Sequence, residues 1–291
     1  MSFIESIDKN RLQKILLVTI AALVLALLVC LVVIIISGIN PPVQKPGNTN
    51  FALEDHTLTD KDVSTGSLLL VDADHPYTPN EAWLDLTNIG EYMRAQSDYT
   101  AANDKDYAGM NYVPWKAMSL SKLAMPSVHA MLTAAKAEVK ANPLTIDAAY
   151  KTIYHSEKSP EYNTALLIYL SDFDSTQNVR KEPSNAYRSW LDENAAKYGF
   201  IESFEDAYRY VGEVHAKYMT KEKLTLAKYI DFLKKNTDAE KAITVELDGT
   251  EYSVYYSAGK AGDTVKVPAD AEYTISGTNE GGVIVTVKNA K

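Results

Sequence analysis

The sequence predicts an α+β protein that consists of an N-terminal transmembrane helix, a mixed central domain and a small C-terminal all-β module. Three observations support this prediction. The run 15–36 contains no charged residue, proline or glycine. In several central segments the apolar residues recur at helical spacing. From residue 243 onward, short stretches alternate apolar and polar residues and are separated by glycine-containing turns, which is the pattern of β-hairpins.

The N-terminal apolar run is predicted to span a membrane. A helix rises about 1.5 Å per residue, so about 20 apolar residues cross a hydrocarbon core about 30 Å thick. Three basic residues closely precede the run, whereas Lys45 is the only one in the dozen residues that follow it. The positive-inside bias therefore predicts a cytoplasmic stub over 1–14, a transmembrane helix over 15–37 and an extracellular remainder at the cell membrane.

A cleaved signal peptide and a lipoprotein leader are the alternatives to this anchor. The apolar stretch of a signal peptide covers about 7–15 residues, which is shorter than the run found here. A lipoprotein cysteine would follow a small residue near the end of the run, but Cys30 follows Val29 and precedes further apolar residues. An uncleaved anchor is therefore the favoured interpretation.

Composition limits the partners of the remaining chain. The formal net charge is -9 and the pI is about 5.1, which argues against a nucleic-acid ligand because binding nucleic acid requires a basic surface. Cys30 is the only cysteine, so no disulfide can form outside the membrane. This suits a bacterial envelope protein better than a secreted scaffold held together by disulfides.

The chain after the anchor is predicted to contain three segments. Residues 38–66 are polar and rich in Pro, Gly, Asn and Thr, and they are interpreted as an extracellular linker. Residues 67–240 form the mixed domain and residues 243–291 form the β module. The predicted strands of the mixed domain are 67–71, 144–150 and 164–170, and its predicted helices begin near Pro79 and cover 127–142, 185–198, 211–218 and 224–235.

Two segments of the mixed domain carry a family resemblance. Trp190–Ile201 and Tyr210–Met219 resemble segments of the VanY-type D-alanyl-D-alanine carboxypeptidases, which are zinc peptidases of the bacterial cell wall. The stretch Leu69–Pro76 looks like the opening strand of that domain, and the C-terminal module is similar to β appendages of some clostridial relatives. The resemblance implies a Hedgehog/DD-peptidase-like fold for 67–240 and a ligand from peptidoglycan.

The positions that correspond to the family's zinc site carry other residues. The family reads Ser-x-His-x-x-Gly-x-Ala-x-Asp and, further on, Glu-x-x-His. The alignment places Tyr162 and Tyr169 at the first histidine and the aspartate, Phe204 at the catalytic glutamate and Ala207 at the second histidine. Zinc catalysis requires three protein ligands, an open position for water and a carboxylate base. The resemblance therefore implies a degenerate site with no metal, no cofactor and no catalytic residue.

The family's substrate-clamping arginine corresponds to Lys151 in this sequence. A lysine keeps the positive charge but loses the bidentate grip on a carboxylate. A groove on this face is expected to hold a peptidoglycan stem peptide or an envelope protein. The candidate ligand-binding residues are Lys151, Thr152, Tyr162, Tyr169, Tyr208, Arg209 and His215. His215 matches a family histidine on the helix after the ligand motif, where a structural hydrogen bond is the other interpretation.

These features lead to a main functional hypothesis and two others. The main hypothesis is a membrane-anchored, extracellular pseudo-carboxypeptidase that binds its ligand without cutting it. The second is an active D-Ala-D-Ala metallo-carboxypeptidase whose zinc is held by atypical ligands such as His155 and Glu161. The third is a structural partner of other envelope proteins that uses residues 243–291 as its contact surface.

Overall fold

The structure is a computed structural model that describes residues 18–20, 47–98, 118–150, 159–174 and 179–289. The chain divides into two compact units, Met1–Gln44 and Lys45–Lys291. In the first unit the described residues are helical. Within the described residues, no helix has both the length and the apolar character that a membrane crossing requires. Most of the predicted span 15–37 lies outside the described residues.

The described part of the second unit contains strands and helices in mixed order. Its strands are β1 (Gly47–Asn48), β2 (Leu53–Thr57), β3 (Leu86–Asn88), β4 (Ser119–Ser121), β5 (Leu144–Ala148), β6 (Leu167–Asp174), β7 (Val179–Lys181), β8 (Phe200–Phe204), β9 (Ala207–Tyr210), β10 (Lys241–Leu247), β11 (Thr250–Ala258), β12 (Thr264–Pro268), β13 (Glu272–Gly277) and β14 (Gly282–Lys288). Its α-helices are α1 (Asp60–Ser64), α2 (Ile89–Arg94), α3 (Met125–Glu138), α4 (Asn185–Asn194), α5 (Glu213–Glu222) and α6 (Leu226–Asn236), and short 3₁₀ helices cover Glu81–Trp83, Pro160–Thr164 and Ala195–Tyr198.

A central antiparallel sheet has the strand order β5-β6-β9-β8, with β7 paired to the end of β6. One face of this sheet contributes Ile168, Leu170 and Tyr208 to the main hydrophobic core. Helices α3 and α4 cover that face with side chains such as Val128 and Leu191. Because successive side chains of a strand point to opposite faces, the residues between these core positions face the other side of the sheet.

The C-terminal strands form a second sheet with the order β1-β10-β11-β14-β13, and β12 pairs with β2. All five strands that the alternating pattern predicted after residue 243 are present. Their inward-facing valines pack around Tyr255 and Leu58, which is 2% exposed. The predicted mixture of helices and strands is thus confirmed for the described part of the chain.

Residues 47–66 differ from the predicted linker, because they contain β1, β2 and α1 and pack on the C-terminal strands. Helix α1 begins with a capping box in which Thr59 and Asp62 bond each other's backbone N–H groups. Close packing requires glycine at 277, since a Cβ there would lie 2.2 Å from the Val63 carbonyl oxygen. The predicted linker therefore shortens to residues 38–46, which lie outside the described residues.

Some boundaries in the mixed domain also differ from the predictions. The predicted strand 67–71 is not among the strands of the structure. Its residues 68–71 are buried, and the Leu70 N–H donates to the Thr278 carbonyl at 3.0 Å. The predicted strand 164–170 begins instead at Leu167, because a 3₁₀ turn precedes it and Ala165 has a φ of 56°. The helix predicted near Pro79 is split into a 3₁₀ turn, β3 and α2.

Candidate functional site

The four positions that the alignment assigned to the family's zinc site lie together in the structure. Tyr169 on β6 is paired with Ala207 on β9, and Ala207 is paired with Phe204 on β8. Tyr162, from the 3₁₀ turn before β6, packs in the same cluster. We call Tyr162, Tyr169, Phe204 and Ala207 the aromatic cluster. It lies on the face of the central sheet opposite the main core.

The aromatic cluster is apolar and its phenols are neutral. Tyr162 is 3% exposed and Ala207 is fully buried, whereas Tyr169 and Phe204 are half-buried. Burial raises the pKa of Tyr162, and the neighbouring Tyr169 raises it further. Burial also raises the pKa of Tyr169, with an added contribution from Asp206. The cluster therefore presents the half-buried rings of Tyr169 and Phe204 at the surface, and its four residues contain no carboxylate or imidazole.

Arg209 and Glu161 form a buried ion pair beside this cluster. The Arg209 side chain is 0% exposed, and its Nη1 lies 3.4 Å from Glu161 Oε1. Its remaining donors bond the carbonyl oxygens of Ser67, Leu69 and Tyr210. Burial lowers the pKa of Arg209, and Glu161 opposes that shift. Arg209 is thus a structural cation that joins the 67–69 segment to the sheet, which corrects the prediction that it lines a groove.

Tyr208 and His215 are not brought together with the aromatic cluster. Tyr208 is 3% exposed in the main core on the opposite face of the sheet, so it is also corrected as a groove residue. His215 is buried, with Nδ1 at 2.9 Å from Tyr229 Oη and Nε2 at 3.0 Å from Thr286 Oγ1. Burial lowers the pKa of His215 to about 4. Its hydrogen bonds connect α5 with α6 and β14.

Three of the residues that the sequence singled out lie outside the described residues. These are Lys151, at the position of the family's clamping arginine, the adjacent Thr152, and His155, the candidate for an atypical metal ligand. Glu161, which was considered together with His155, accepts a hydrogen bond from Ser203 Oγ at 2.5 Å and pairs with Arg209. Both of its carboxylate oxygens are therefore engaged within the protein.

An open pocket of about 440 Å³ adjoins the aromatic cluster at Phe204. Glu161 and Ser203 line it on one side, and Lys223 and Leu224, from the turn between α5 and α6, line it on the other. Lys223 has a φ of 52°, a left-handed conformation that is uncommon for a residue with a side chain. Sequence reasoning missed Ser203 because the β8-β9 hairpin was not predicted, and it missed Lys223 because that residue lies between the two predicted helices 211–218 and 224–235.

A group of acidic residues lies at the turn of the β8-β9 hairpin. Carboxylate oxygens of Glu182, Glu205 and Asp206 lie within 4.8 Å of one another. The Arg188 Nη2 atom contacts all three, at 3.2, 3.7 and 2.7 Å. Since this guanidinium already compensates the acidic group, we assign no metal to it.

The comparisons with known proteins agree with this fold. A curated D-alanyl-D-alanine carboxypeptidase from Enterococcus faecium is 26% identical over 261 residues, which is 80% of this chain and 79% of that protein. The solved structure of the vancomycin-resistance D,D-dipeptidase VanXYg, in complex with a D-Ala-D-Ala phosphinate analog, matches with a TM-score of 0.61 and 18% identity. It covers 82% of this chain and 100% of the other. No protein-family profile matches the chain.

The chain therefore shares the overall fold of that solved structure, with its mixed arrangement of helices and strands. The resemblance to VanY-type D-alanyl-D-alanine carboxypeptidases that the sequence predicted is confirmed. Another similar solved structure is a VanY D,D-pentapeptidase from a VanB-type resistance cassette in complex with Zn(II), with a TM-score of 0.37 and 17% identity over 56% of this chain and 98% of the other.

The prediction that no cofactor is associated with this chain is contradicted by these comparisons, because a Zn(II) complex is among the similar structures. Whether the residues at the four aligned positions can bind zinc is a separate question. Zinc in proteins is held by cysteine, histidine and carboxylate side chains. Tyr162, Tyr169, Phe204 and Ala207 provide none of these groups, so these four positions do not fit the ion.

Proposed function

We propose that this protein binds peptidoglycan stem peptides that end in D-Ala-D-Ala, and that it does so without hydrolysing them. The observation that carries the proposal is the convergence of the aromatic cluster on one face of the central sheet. The named substrate of the curated relative and the ligand analog bound to the D,D-dipeptidase support this choice of peptide.

The half-exposed rings of Tyr169 and Phe204 give this face an apolar surface that suits two alanine methyl groups. Burying a methyl group contributes about 0.8 kcal/mol. The pocket beside Phe204 provides room for the preceding residues of the stem.

The proposed lack of cleavage follows from the absence of a proton-accepting side chain at position 204. Hydrolysis of a peptide bond requires a group that accepts a proton from the attacking water. The family's glutamate at this position is replaced by Phe204, which cannot accept a proton. The carboxylates that line the adjoining pocket are Asp72, Glu161 and Glu202, and each of them already accepts a hydrogen bond within the protein.

We also propose that the N-terminal run 15–37 anchors the protein in the cell membrane with the binding domain outside. The apolar length of the run and the basic residues before it support this orientation. Residues 38–46 would then connect the anchor to the folded unit. Such a tether raises the effective concentration of a binding domain near the inner face of the wall.

The test uses the full-length protein in detergent micelles and a synthetic stem pentapeptide that ends in D-Ala-D-Ala. Calorimetry measures binding, and a D-amino-acid oxidase assay measures D-alanine release with Zn²⁺ added and again with a chelator. We expect saturable binding and no D-alanine release in either condition. Release that the chelator abolishes would show instead that the protein is an active metallo-carboxypeptidase.

Two variants locate the binding face. Tyr169→Ala removes a half-exposed ring of the aromatic cluster, and we expect about tenfold weaker binding, equivalent to about 1.4 kcal/mol. Tyr252→Ala is the matched control because Tyr252 is a half-buried tyrosine on β11 of the C-terminal sheet. Equal affinity of both variants, or no binding by the unmodified protein, would overturn the proposal.

A further inference from the structure

A second pocket, of about 400 Å³, lies beside the 3₁₀ turn Pro160–Thr164. Glu161 of this turn lines the pocket next to Phe204, whereas Thr164 lines the second pocket. We call the second one the Trp83 pocket. Its floor is formed by buried leucines, and its rim carries Tyr77, Trp83, Asp85, Lys122 and Leu123. The proposed peptide site does not use these rim residues.

The charged residues of the Trp83 pocket cancel each other. Asp85 and Lys122 are the charged residues that line it, and Lys122 Nζ donates to Asp85 Oδ1 at 2.8 Å. Their side chains are 69% and 59% exposed. Exposed ion pairs contribute little to stability, so both groups can donate to or accept from a ligand at low cost. This lining suits an uncharged ligand with several polar groups.

Apolar surface faces the same pocket. Trp83 is half-buried and belongs to a 3₁₀ turn that is capped by the Asn80 side chain. The Tyr77 hydroxyl donates to the Ser64 carbonyl at 2.9 Å, which fixes its ring. Leu123 is 53% exposed and is one of the few large hydrophobic side chains so exposed among the described residues. Exposed apolar side chains around a pocket are typical of a binding site.

The backbone holds the polar pair of this pocket in place. Asp85 has a φ of 45°, which is strained for a residue with a side chain. Its carbonyl accepts the Lys122 N–H at 2.9 Å, and the next residue, Leu86, is paired with Ser121 across β3 and β4. The pairing of β3 with β4 therefore holds the backbones of Asp85 and Lys122 close together, so that their side chains can form the ion pair.

We propose that the Trp83 pocket binds an uncharged, N-acetylated amino sugar. A sugar ring has an apolar C–H face that stacks on an aromatic ring and a rim of hydroxyl groups that both donate and accept hydrogen bonds. The acetamido group adds a methyl for an apolar contact such as Leu123 and an amide for a polar one. The inference rests on the proposed function, since the glycan strand of peptidoglycan carries the stem peptides.

The probe is the trimer of N-acetylglucosamine, with cellotriose as the sugar that lacks acetamido groups. Binding to the full-length protein in micelles is followed by tryptophan fluorescence and by saturation-transfer NMR. We expect saturable binding of the acetylated trimer and at least tenfold weaker binding of cellotriose. Absence of saturable binding, or equal affinity for the two sugars, would overturn the proposal.

Variants assign the binding to this pocket. Trp83→Ala should weaken binding of the trimer at least tenfold, and Trp83→Phe, which keeps a ring, should retain part of it. Tyr252→Ala should bind as the unmodified protein does, and circular dichroism checks that each variant is folded. Unchanged affinity in Trp83→Ala would overturn the inference.

The two proposals fail separately. The pentapeptide titration is repeated on Trp83→Ala, for which we expect unchanged peptide binding. Peptide binding without binding of the sugar would overturn the Trp83 pocket alone, and sugar binding without peptide binding would overturn the peptide proposal alone.

Discussion

Ala207 is paired with Tyr169 across two neighbouring strands of the central sheet, and both side chains belong to one apolar cluster. The small side chain at 207 leaves room for the ring of Tyr169, and Phe204 closes the cluster from the next strand. The face that the family resemblance identified as the site is thus a packed hydrophobic surface. Its packing can be tested independently of any ligand.

Ala207→Leu should destabilise the protein, because Ala207 is fully buried and three added heavy atoms would meet the aromatic rings. Overpacking of a core position costs about 1–3 kcal/mol. Urea unfolding followed by circular dichroism measures the change. Ala258→Leu is the control, since Ala258 is exposed at the end of β11, and it should change stability by less than about 0.5 kcal/mol. Equal effects of both substitutions would contradict the packing described here.

Breaking the Arg209–Glu161 ion pair should reduce the free energy of unfolding by more than Ala207→Leu does. Arg209→Ala would leave Glu161 without its cation and would free the carbonyl groups of Ser67 and Leu69. Breaking a buried ion pair costs about 3–5 kcal/mol. The double variant Arg209→Met with Glu161→Gln should lose less than the sum of its single variants, because no buried charge remains unpaired.

The control for this pair is Lys235→Ala. Lys235 pairs with Asp231 on the surface of α6, and its side chain is 71% exposed. Such exposed pairs contribute about 0–1 kcal/mol. Urea unfolding measures the losses in Arg209→Ala, Arg209→Met, Glu161→Gln, the double variant and Lys235→Ala. Additive losses in the double variant would contradict the direct coupling of Arg209 and Glu161.

Sequence patterns predicted the parts of the fold that depend on local periodicity. The alternating residues after 243 produced all five C-terminal strands, and helix α3 lies within two residues of its predicted start at 127. The convergence of Tyr162, Tyr169 and Ala207 came from the family resemblance, because an alignment transfers long-range contacts that periodicity does not contain. The structure brings these residues together on β6 and β9 and the preceding turn.

The sequence could not predict features that arise from contacts between distant segments. Residues 47–66 have the composition of a linker, and they become ordered because β2 pairs with β12 about two hundred residues later. Arg209 has the polarity of a surface residue, and its burial depends on Glu161 and on the carbonyls of 67–69. The Trp83 pocket likewise joins segments that are far apart along the chain.

His215 predicts that stability rises with pH between about 4 and 6.5. Burial lowers its pKa from 6.5 to about 4, so the unfolded chain binds the proton more readily than the folded protein in this range. The contribution is complete above pH 6.5, is lost as the pH falls toward 4, and amounts to about 3 kcal/mol at most. Urea unfolding at pH 4.5 and 7.5 should show this slope. His215→Gln should flatten it, whereas the half-exposed His56→Gln should leave it in place.

His75 predicts the opposite dependence on pH. Its Nδ1 lies 2.7 Å from Asp72 Oδ1 and its Nε2 lies 3.2 Å from Glu280 Oε1, so it joins the 72–75 turn to the β13-β14 turn. The hydrogen bond to Asp72 raises the pKa of His75 above its ordinary 6.5, and the charge of Glu280 acts in the same direction. The folded protein therefore holds the proton more tightly than the unfolded chain does. The resulting stabilisation of the folded protein is complete below pH 6.5 and is lost as the pH rises through the raised pKa of His75. Proton titration of the His75 ring by NMR should give a pKa above 6.5 in the unmodified protein and a lower one in Glu280→Gln. An unchanged pKa of His75 in Glu280→Gln would show that Glu280 does not stabilise the protonated ring.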